Sequence, residues 1–208
     1  MSSKLSIRIV VATLAVGTVA SAVRADDTVE SLMAGKLDAG RSIVLEATDD
    51  ASPEEVFRLW TTAAEIPSFF APKAVIEPRL GGRYEMIFDP EHDPEGDDSG
   101  TKGARILRFE PGRALSFEWT GFTRTGQDPR GPVAWPEQRN RRPIATWVDL
   151  SFDRVPGSPH KTTVRLVESG FGTGGKWEEA VTYFWRNWAL ILGRLGARCA
   201  QTNTSAAH

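Results

Sequence analysis

Aromatic residues recur in this chain at spacings that place several of them on one face of a strand or helix. Tyr84, Met86 and Phe88 are two residues apart, and Phe117 and Trp119 repeat this spacing, so each set shares one face of a predicted strand. Planar aromatic walls with few polar groups suit an apolar or aromatic ligand, although ordinary core packing explains any single residue equally well. The predicted ligand-binding set is Trp60, Phe69, Phe70, Tyr84, Met86, Phe88, Phe117, Trp119, Phe184 and Trp188.

Acid–base and nucleophilic groups are scarce. The three histidines fall in a charged loop, a hairpin turn and the chain end: His92, His160 and His208. The single cysteine, Cys199, follows the last apolar turn of the predicted C-terminal helix, while Glu118 and Asp149 have the strand parity that faces solvent. There is no Gly-x-Ser-x-Gly or His-Glu-x-x-His motif. We therefore predict no catalytic residue and no cofactor, and keep a cyclase- or hydrolase-type enzyme as an alternative.

Two long loops carry opposite charge. Residues 89–98 hold six carboxylates and one imidazole, and residues 121–143 hold five arginines. Carboxylate oxygens suit calcium, but the acidic spacing matches no calcium-loop pattern, so a solvated loop without a metal is predicted. The net charge of −2 argues against a dedicated nucleic-acid binder, which usually carries a clustered basic excess.

The pattern of apolar residues predicts the elements that position these groups. An alternating strand at 42–48 precedes a short helix that Ser52 caps, with Pro53 first and Glu55 completing a capping box. A second short helix or turn follows, and then six strands in three hairpins form an antiparallel meander between residues 74 and 169. Apolar residues from 177 to 195 then recur at steps of three and four, which predicts an amphipathic helix ending near Gly196. The expected fold class is α+β, with a curved antiparallel sheet wrapped around a long C-terminal helix.

The N-terminus has the features of an export signal. Lys4 and Arg8 precede an apolar stretch of about a dozen residues, and small residues before Asp26 offer a cleavage site. The stretch is shorter than the roughly 20 residues that a membrane-spanning helix needs. We expect residues 1–25 to be a signal peptide, 26–41 a linker, 42–199 the folded domain and 200–208 a flexible tail. The mature protein would then be periplasmic or secreted, without stable membrane insertion.

An ordered set of short motifs resembles a known family. These motifs are Val56-Phe57-x-x-Trp60-Thr61, Phe69-Phe70-Ala71-Pro72, Leu80-Gly81-Gly82-Arg83-Tyr84, Gly103-x-x-x-Leu107-x-Phe109-x-Pro111, Leu115-x-Phe117-x-Trp119, Glu168-Ser169-Gly170-Phe171 and Trp188-x-x-x-Leu192-x-x-Leu195. Over residues 42–195 the chain resembles proteins similar to the C-terminal domain of the heat-shock-protein-90 ATPase activator, in the START-like (SRPBCC) superfamily. The resemblance implies a helix-grip fold that encloses a hydrophobic ligand cavity.

The predicted function combines the aromatic set with this resemblance. Superfamily relatives bind lipids, sterols or aromatic polyketides, or act as cyclases, and a shared fold alone does not settle a function. We expect an exported START-like domain, monomeric or weakly dimeric, that binds a small hydrophobic or aromatic ligand. A protein-binding, co-chaperone-like domain is the other alternative.

Overall fold

The computed structural model describes residues 8–9, 41–97, 99–119, 146–171 and 176–205. The elements in chain order are β1 (Arg8–Ile9), β2 (Ser42–Asp49), α1 (Pro53–Thr61), a 3-10 turn (Ile66–Ser68), β3 (Lys73–Ile76), β4 (Tyr84–Ile87), β5 (Ile106–Glu110), β6 (Ala114–Trp119), β7 (Thr146–Arg154), β8 (Thr162–Ser169) and α2 (Lys176–Ser205).

Six of the described strands build one large antiparallel sheet in the order β1-β2-β8-β7-β6-β5, so the first long strand pairs with the last. Alternate residues of β2, β7 and β8 are buried against the helices, as a sheet with one covered face requires. The predicted α+β class, a curved antiparallel sheet with a long C-terminal helix, is confirmed.

The prediction of one continuous meander is wrong in one respect. β3 and β4 form a separate two-stranded ladder, which two isolated bridges, Arg83 to Arg105 and Ile87 to Gly100, join to neighbouring segments. β5 begins at Ile106 rather than near residue 102, because residues 101–104 form a turn in which Ala104 N donates to Thr101 O. Gly103 in this turn has φ of 87°, a conformation that side chains with a Cβ rarely adopt.

The short helix α1 begins as its sequence predicts. Glu55 N donates to Ser52 Oγ at 3.3 Å, and Ser52 N donates to Glu55 Oε2 at 2.8 Å, which completes the capping box ahead of Pro53. Phe57 on its buried face packs edge-on against Phe152 of β7, with ring centroids 5.7 Å apart. This contact fixes one end of the core.

The long helix α2 extends further than its apolar period predicts. It runs to Ser205, beyond the expected end near Gly196, and so includes part of the segment predicted as a flexible tail. Trp188, Leu192, Leu195 and Cys199 are all buried at steps of four, three and four, so Cys199 continues the inward stripe instead of lying beyond it. None of the helices in the described part of the chain is long and apolar enough to cross a membrane.

The predicted signal peptide and linker lie outside the described residues, except for three residues. Arg8 and Ile9 form β1 and pair with Glu46 and Leu45 on the outer edge of β2. Arg41, the last residue of the predicted linker, forms an ion pair with Glu178 of α2.

Candidate functional site

Eight of the predicted ligand-binding residues have rings in mutual contact. We call them the aromatic cluster: Trp60, Phe69, Phe70, Tyr84, Phe88, Phe117, Trp119 and Trp188. All are buried except Phe88, which is partly exposed and packs against Phe70 and Trp119 at 6.3 and 6.4 Å between centroids. The cluster therefore reaches the protein surface at Phe88.

Phe70 is the centre of this cluster. The 3-10 turn after α1 places it, since Phe70 N donates to Ile66 O at 2.9 Å. Its ring lies 5.5 Å from that of Trp60, 5.7 Å from Trp119 and 5.5 Å from Trp188. One residue thus joins α1, β6 and α2.

Trp119 of β6 and Trp188 of α2 lie against one another. Their ring centroids are 4.9 Å apart with planes inclined at 53°, which is direct contact. Below them, Tyr84 stacks on Phe117 at 4.2 Å, and the Tyr84 hydroxyl donates to Trp60 O at 2.9 Å.

Two predicted residues lie beside the cluster. Met86 is fully buried, and its backbone N donates to Thr101 Oγ1 at 2.8 Å. Phe184 is buried on α2 and packs against Phe171, with centroids 6.2 Å apart. All ten predicted residues are placed, and ligand contact by them stays a prediction.

Sequence reasoning missed Glu168 as a site residue. This carboxyl group is fully buried at the end of β8, where Oε2 accepts a hydrogen bond from Trp188 Nε1 at 2.7 Å. Oε1 lies 2.7 Å from Thr146 Oγ1. Burial raises the pKa of Glu168 from 4.5 to about 8, and the hydrogen bonds from Thr146 and Trp188 lower it only in part. The acid is therefore predominantly neutral at pH 7.

Thr146 connects this acid to the aromatic cluster. Its hydroxyl oxygen is 3.1 Å from Trp119 O as well as 2.7 Å from Glu168 Oε1, but the hydroxyl has only one hydrogen. When Glu168 is neutral, its proton can go to Thr146 Oγ1 while the Thr146 hydrogen goes to Trp119 O. Neutral Glu168 thus satisfies every group in this chain of hydrogen bonds.

Two indole N–H groups inside the aromatic cluster are unpartnered. Nε1 of Trp60 and Nε1 of Trp119 are buried, and neither has a hydrogen-bond acceptor within the described structure. Trp185 on α2 has the same property, but it is a partly buried residue outside the cluster. A buried donor without an acceptor costs roughly 1–3 kcal/mol, so each of these groups favours an incoming acceptor.

A second buried acid lies at the other end of the core. Asp49 is 1% exposed, and neither of its carboxylate oxygens has a hydrogen-bond partner among the residues described. Burial, helped by the neighbouring Asp50 carboxylate, raises the pKa of Asp49 from 3.8 to about 7. Burial and the Asp49 charge also raise the pKa of the Cys199 thiol to about 12. That thiol is therefore almost entirely protonated at neutral pH.

The acidic loop at 89–98 is held by hydrogen bonds within it and by contacts with the residues that follow it. Asp93 accepts hydrogen bonds from the backbone N of Ser99 at 2.7 Å and of Asp97 at 2.9 Å, and Lys102 pairs with Asp97. Within the described ranges, no three His, Cys, Asp or Glu side chains are grouped so that they could hold a metal ion. The basic loop at 121–143 lies outside the described residues.

Two surface cavities border other parts of the protein. One, of about 370 Å³, is lined by Asp50, Ser158, Pro159, His160, Lys161 and Ala200. The other, of about 320 Å³, lies among charged residues near the start of α1 and includes Arg108, Arg113 and Arg154. Neither cavity has a residue of the aromatic cluster in its lining.

Solved structures share the fold at low sequence identity. Protein MLL2253 from Mesorhizobium loti is 20% identical with a TM-score of 0.54, over 78% of this chain and 98% of that chain. The Aha1 dimer from Colwellia psychrerythraea is 14% identical with a TM-score of 0.51, over 76% and 95% of the two chains. Protein Ms6760 from Mycobacterium smegmatis is 13% identical with a TM-score of 0.52, over 78% and 93%.

Sequence comparison agrees with this fold. No curated protein matches the chain significantly. The family profile described as Activator of Hsp90 ATPase homolog 1-like protein matches residues 50–199, which is most of the chain and nearly all of the described domain. The chain therefore belongs to the Activator of Hsp90 ATPase homolog 1-like protein family.

Proposed function

We propose that this protein binds a small hydrophobic or aromatic molecule at the aromatic cluster. The observation that carries this proposal is the continuous contact of eight aromatic rings, drawn from α1, the residues after the 3-10 turn, β4 and the residue after it, β6 and α2. Flat rings from several elements offer stacking surfaces on more than one side of a planar guest.

We take Phe88 as the point at which a ligand enters. Phe88 is the partly exposed member of the cluster and borders Phe70 and Trp119. Phe70 and Trp119 stack with their planes inclined by only 21°, which is the geometry a planar molecule could imitate by replacing one ring.

The test is native mass spectrometry of the purified protein after incubation with a lipid and metabolite extract. We expect a retained small molecule, and we expect Phe70→Leu to reduce its retention. Phe57→Leu is the matched control, because Phe57 and Phe70 are both 6% exposed but Phe57 contacts Phe109 and Phe152 at the far side of the core. Equal loss in both variants, or no retained mass in the unchanged protein, would overturn the proposal. A chemically converted extract component would favour the enzyme alternative.

The family description favours a protein-binding role as the second candidate. It names an activator of the Hsp90 ATPase, and one structural neighbour is an Aha1 dimer. We expect the purified protein to leave the ATPase rate of an Hsp90-type chaperone unchanged. A stimulated rate would favour this second candidate.

We also propose that the protein is exported and that its mature form begins near Asp26. The support is the sequence pattern of residues 1–25. Cleavage there would remove Arg8 and Ile9 and leave the outer edge of β2 open at Leu45 and Glu46. N-terminal sequencing of the protein from a cell fractionation tests this, and an intact Met1 in the membrane fraction would contradict it.

A further inference from the structure

The hydrogen-bonding groups inside the aromatic cluster are not balanced. Trp60 Nε1 and Trp119 Nε1 are buried donors without acceptors in the described structure, and an indole N–H can only donate. Both indoles contact the same ring, that of Phe70, at 5.5 and 5.7 Å between centroids. The two unpartnered donors therefore border one region of the cluster.

The other polar groups of this region are already engaged. The Tyr84 hydroxyl donates to Trp60 O, and the Trp188 indole donates to Glu168 Oε2. Glu168 Oε1 is bonded to Thr146. A ligand that enters the cluster would therefore meet chiefly indole N–H donors and the faces of aromatic rings.

A positively charged ligand does not suit this arrangement. Glu168 is the one buried carboxyl that the described structure places against the cluster, and both of its oxygens have partners. Ionising it would add a charge to a fully buried position and take the Thr146 hydrogen away from Trp119 O. An amine would also leave the two indole N–H groups without acceptors.

From these contacts we infer that the ligand is an uncharged, flat, largely apolar molecule bearing a carbonyl-type acceptor oxygen, which Trp119 Nε1–H binds. This inference rests on the proposed function, since it names the ligand class of the same site. Of the two unpartnered donors, we choose Trp119 because it contacts the partly exposed Phe88 and lies nearer the surface than Trp60. Trp60, which lies next to Phe69 and Phe70, is the second donor available to a ligand with two acceptor oxygens.

Three probes on one ring skeleton separate the possibilities. Fluorene is apolar, 9-fluorenone adds a single carbonyl oxygen, and 9-aminofluorene adds a basic amine. Equilibrium dialysis of the purified protein at pH 7 should show 9-fluorenone binding about 3- to 10-fold more tightly than fluorene, as one added neutral hydrogen bond predicts. The amine should bind most weakly.

Variants assign the preference to one indole. Trp119→Phe keeps an aromatic ring and removes the N–H, so it should reduce the ratio of fluorenone to fluorene affinity to about 1. Trp185→Phe is the control, because it removes an equally unpartnered indole N–H from outside the cluster and should leave the ratio unchanged. Comparing a ratio of affinities cancels the packing that each variant loses.

A measurement on the unchanged protein covers the case in which Trp119→Phe does not fold. With 9-fluorenone bound, the side-chain 1H–15N resonance of Trp119 should lie downfield of its position with fluorene bound, since the two ring systems are alike and only the ketone deshields the proton through a new hydrogen bond. The Trp185 resonance should stay in place.

The outcomes distinguish the two proposals. If none of the three probes binds, the proposed function fails together with the inference. If fluorene binds as tightly as 9-fluorenone, or the amine binds most tightly, ligand binding stands and the acceptor-bearing class is wrong. A fluorenone preference that survives Trp119→Phe, with the Trp119 resonance at the same position for 9-fluorenone and fluorene, would remove Trp119 as the donor.

Discussion

Replacing Glu168 with glutamine takes one ionisable group out of the core and keeps its shape. A glutamine amide can repeat the hydrogen bonds of the neutral acid, with Oε1 accepting from Trp188 and Nε2 donating to Thr146 Oγ1. Thr146 could then still donate to Trp119 O. The variant is thus a close mimic of neutral Glu168 at every pH.

The magnitude follows from the pKa of Glu168, which burial raises from 4.5 to about 8. Above pH 4.5 the unfolded chain releases this proton while the folded protein keeps it, so the folded state binds more protons and the free energy of unfolding falls as pH rises. The fall ends near pH 8, where the folded protein also ionises. At about 1.36 kcal/mol per pH unit, the loss is at most about 5 kcal/mol.

Urea unfolding followed by tryptophan fluorescence at pH 5, 6, 7, 8 and 9 tests this. Glu168→Gln should differ least from the wild type at pH 5 and become progressively more stable relative to it up to about pH 8, with a nearly constant difference above. Other titrating groups, Asp49 among them, affect both proteins equally, so the difference isolates Glu168. Parallel curves for the two proteins across this range would refute the reasoning.

Three further predictions concern the other core groups. Asp49→Asn should weaken the dependence of the unfolding free energy on pH between about 4 and 7. In this range burial and the Asp50 carboxylate keep Asp49 protonated in the folded protein but not in the unfolded chain. An unchanged slope of the unfolding free energy against pH, measured by urea unfolding, would contradict this. Iodoacetamide at pH 8 should alkylate Cys199 roughly a thousandfold more slowly in the folded protein than in urea, because a thiol with a pKa of about 12 is almost entirely protonated. Equal alkylation rates, measured by mass spectrometry, would show that the thiol is accessible in the folded protein. Trp119→Ala should lower the free energy of unfolding by about 3–5 kcal/mol, as for a packed core residue. The reason is that Trp119 is 5% exposed and contacts Phe70 and Trp188. A loss below about 1 kcal/mol in urea unfolding would show that Trp119 borders open space.

The sequence alone predicts most of the fold because local signals and the global arrangement agree. Ser52, Pro53 and Glu55 specify the start of α1 through bonds within a single turn. The alternation in β7 and β8 specifies which side chains face the helices. These signals involve neighbours in sequence, so no knowledge of distant contacts is needed.

The end of α2 differs from the sequence prediction because a local signal and the tertiary contacts disagree. Gly196 and the small polar residues after it read as a stop signal, because glycine weakens a helix and often follows one. The structure continues the helix, with Cys199 buried at 1% exposure on the inward stripe. Tertiary burial of one small apolar side chain outweighs a local propensity of about 1 kcal/mol.

The sequence position of Glu168 carries a signal for its burial. Along β8, Thr162, Val164, Leu166 and Glu168 share the inward parity, so a carboxyl on this face had to be buried or to distort the strand. Its parity predicts burial, but its partners could not be predicted. Thr146 is 22 residues away and Trp188 is 20 residues away, on elements whose approach depends on the whole sheet.

The cost of burying Glu168 argues that the residue positions the cluster rather than stabilising the protein. A well-packed apolar side chain at such a site is often neutral or stabilising relative to a buried charged or polar group. By accepting a hydrogen bond from Trp188 Nε1, the carboxyl group of Glu168 fixes the orientation of that indole ring. Trp119, in contact with Trp188 at 4.9 Å and tied to Thr146 through its own carbonyl, keeps its indole N–H unpartnered. Of the two indoles in direct contact, that of Trp188 therefore donates its N–H to Glu168, and that of Trp119 has its N–H available to an acceptor. A leucine at position 168 would remove that difference.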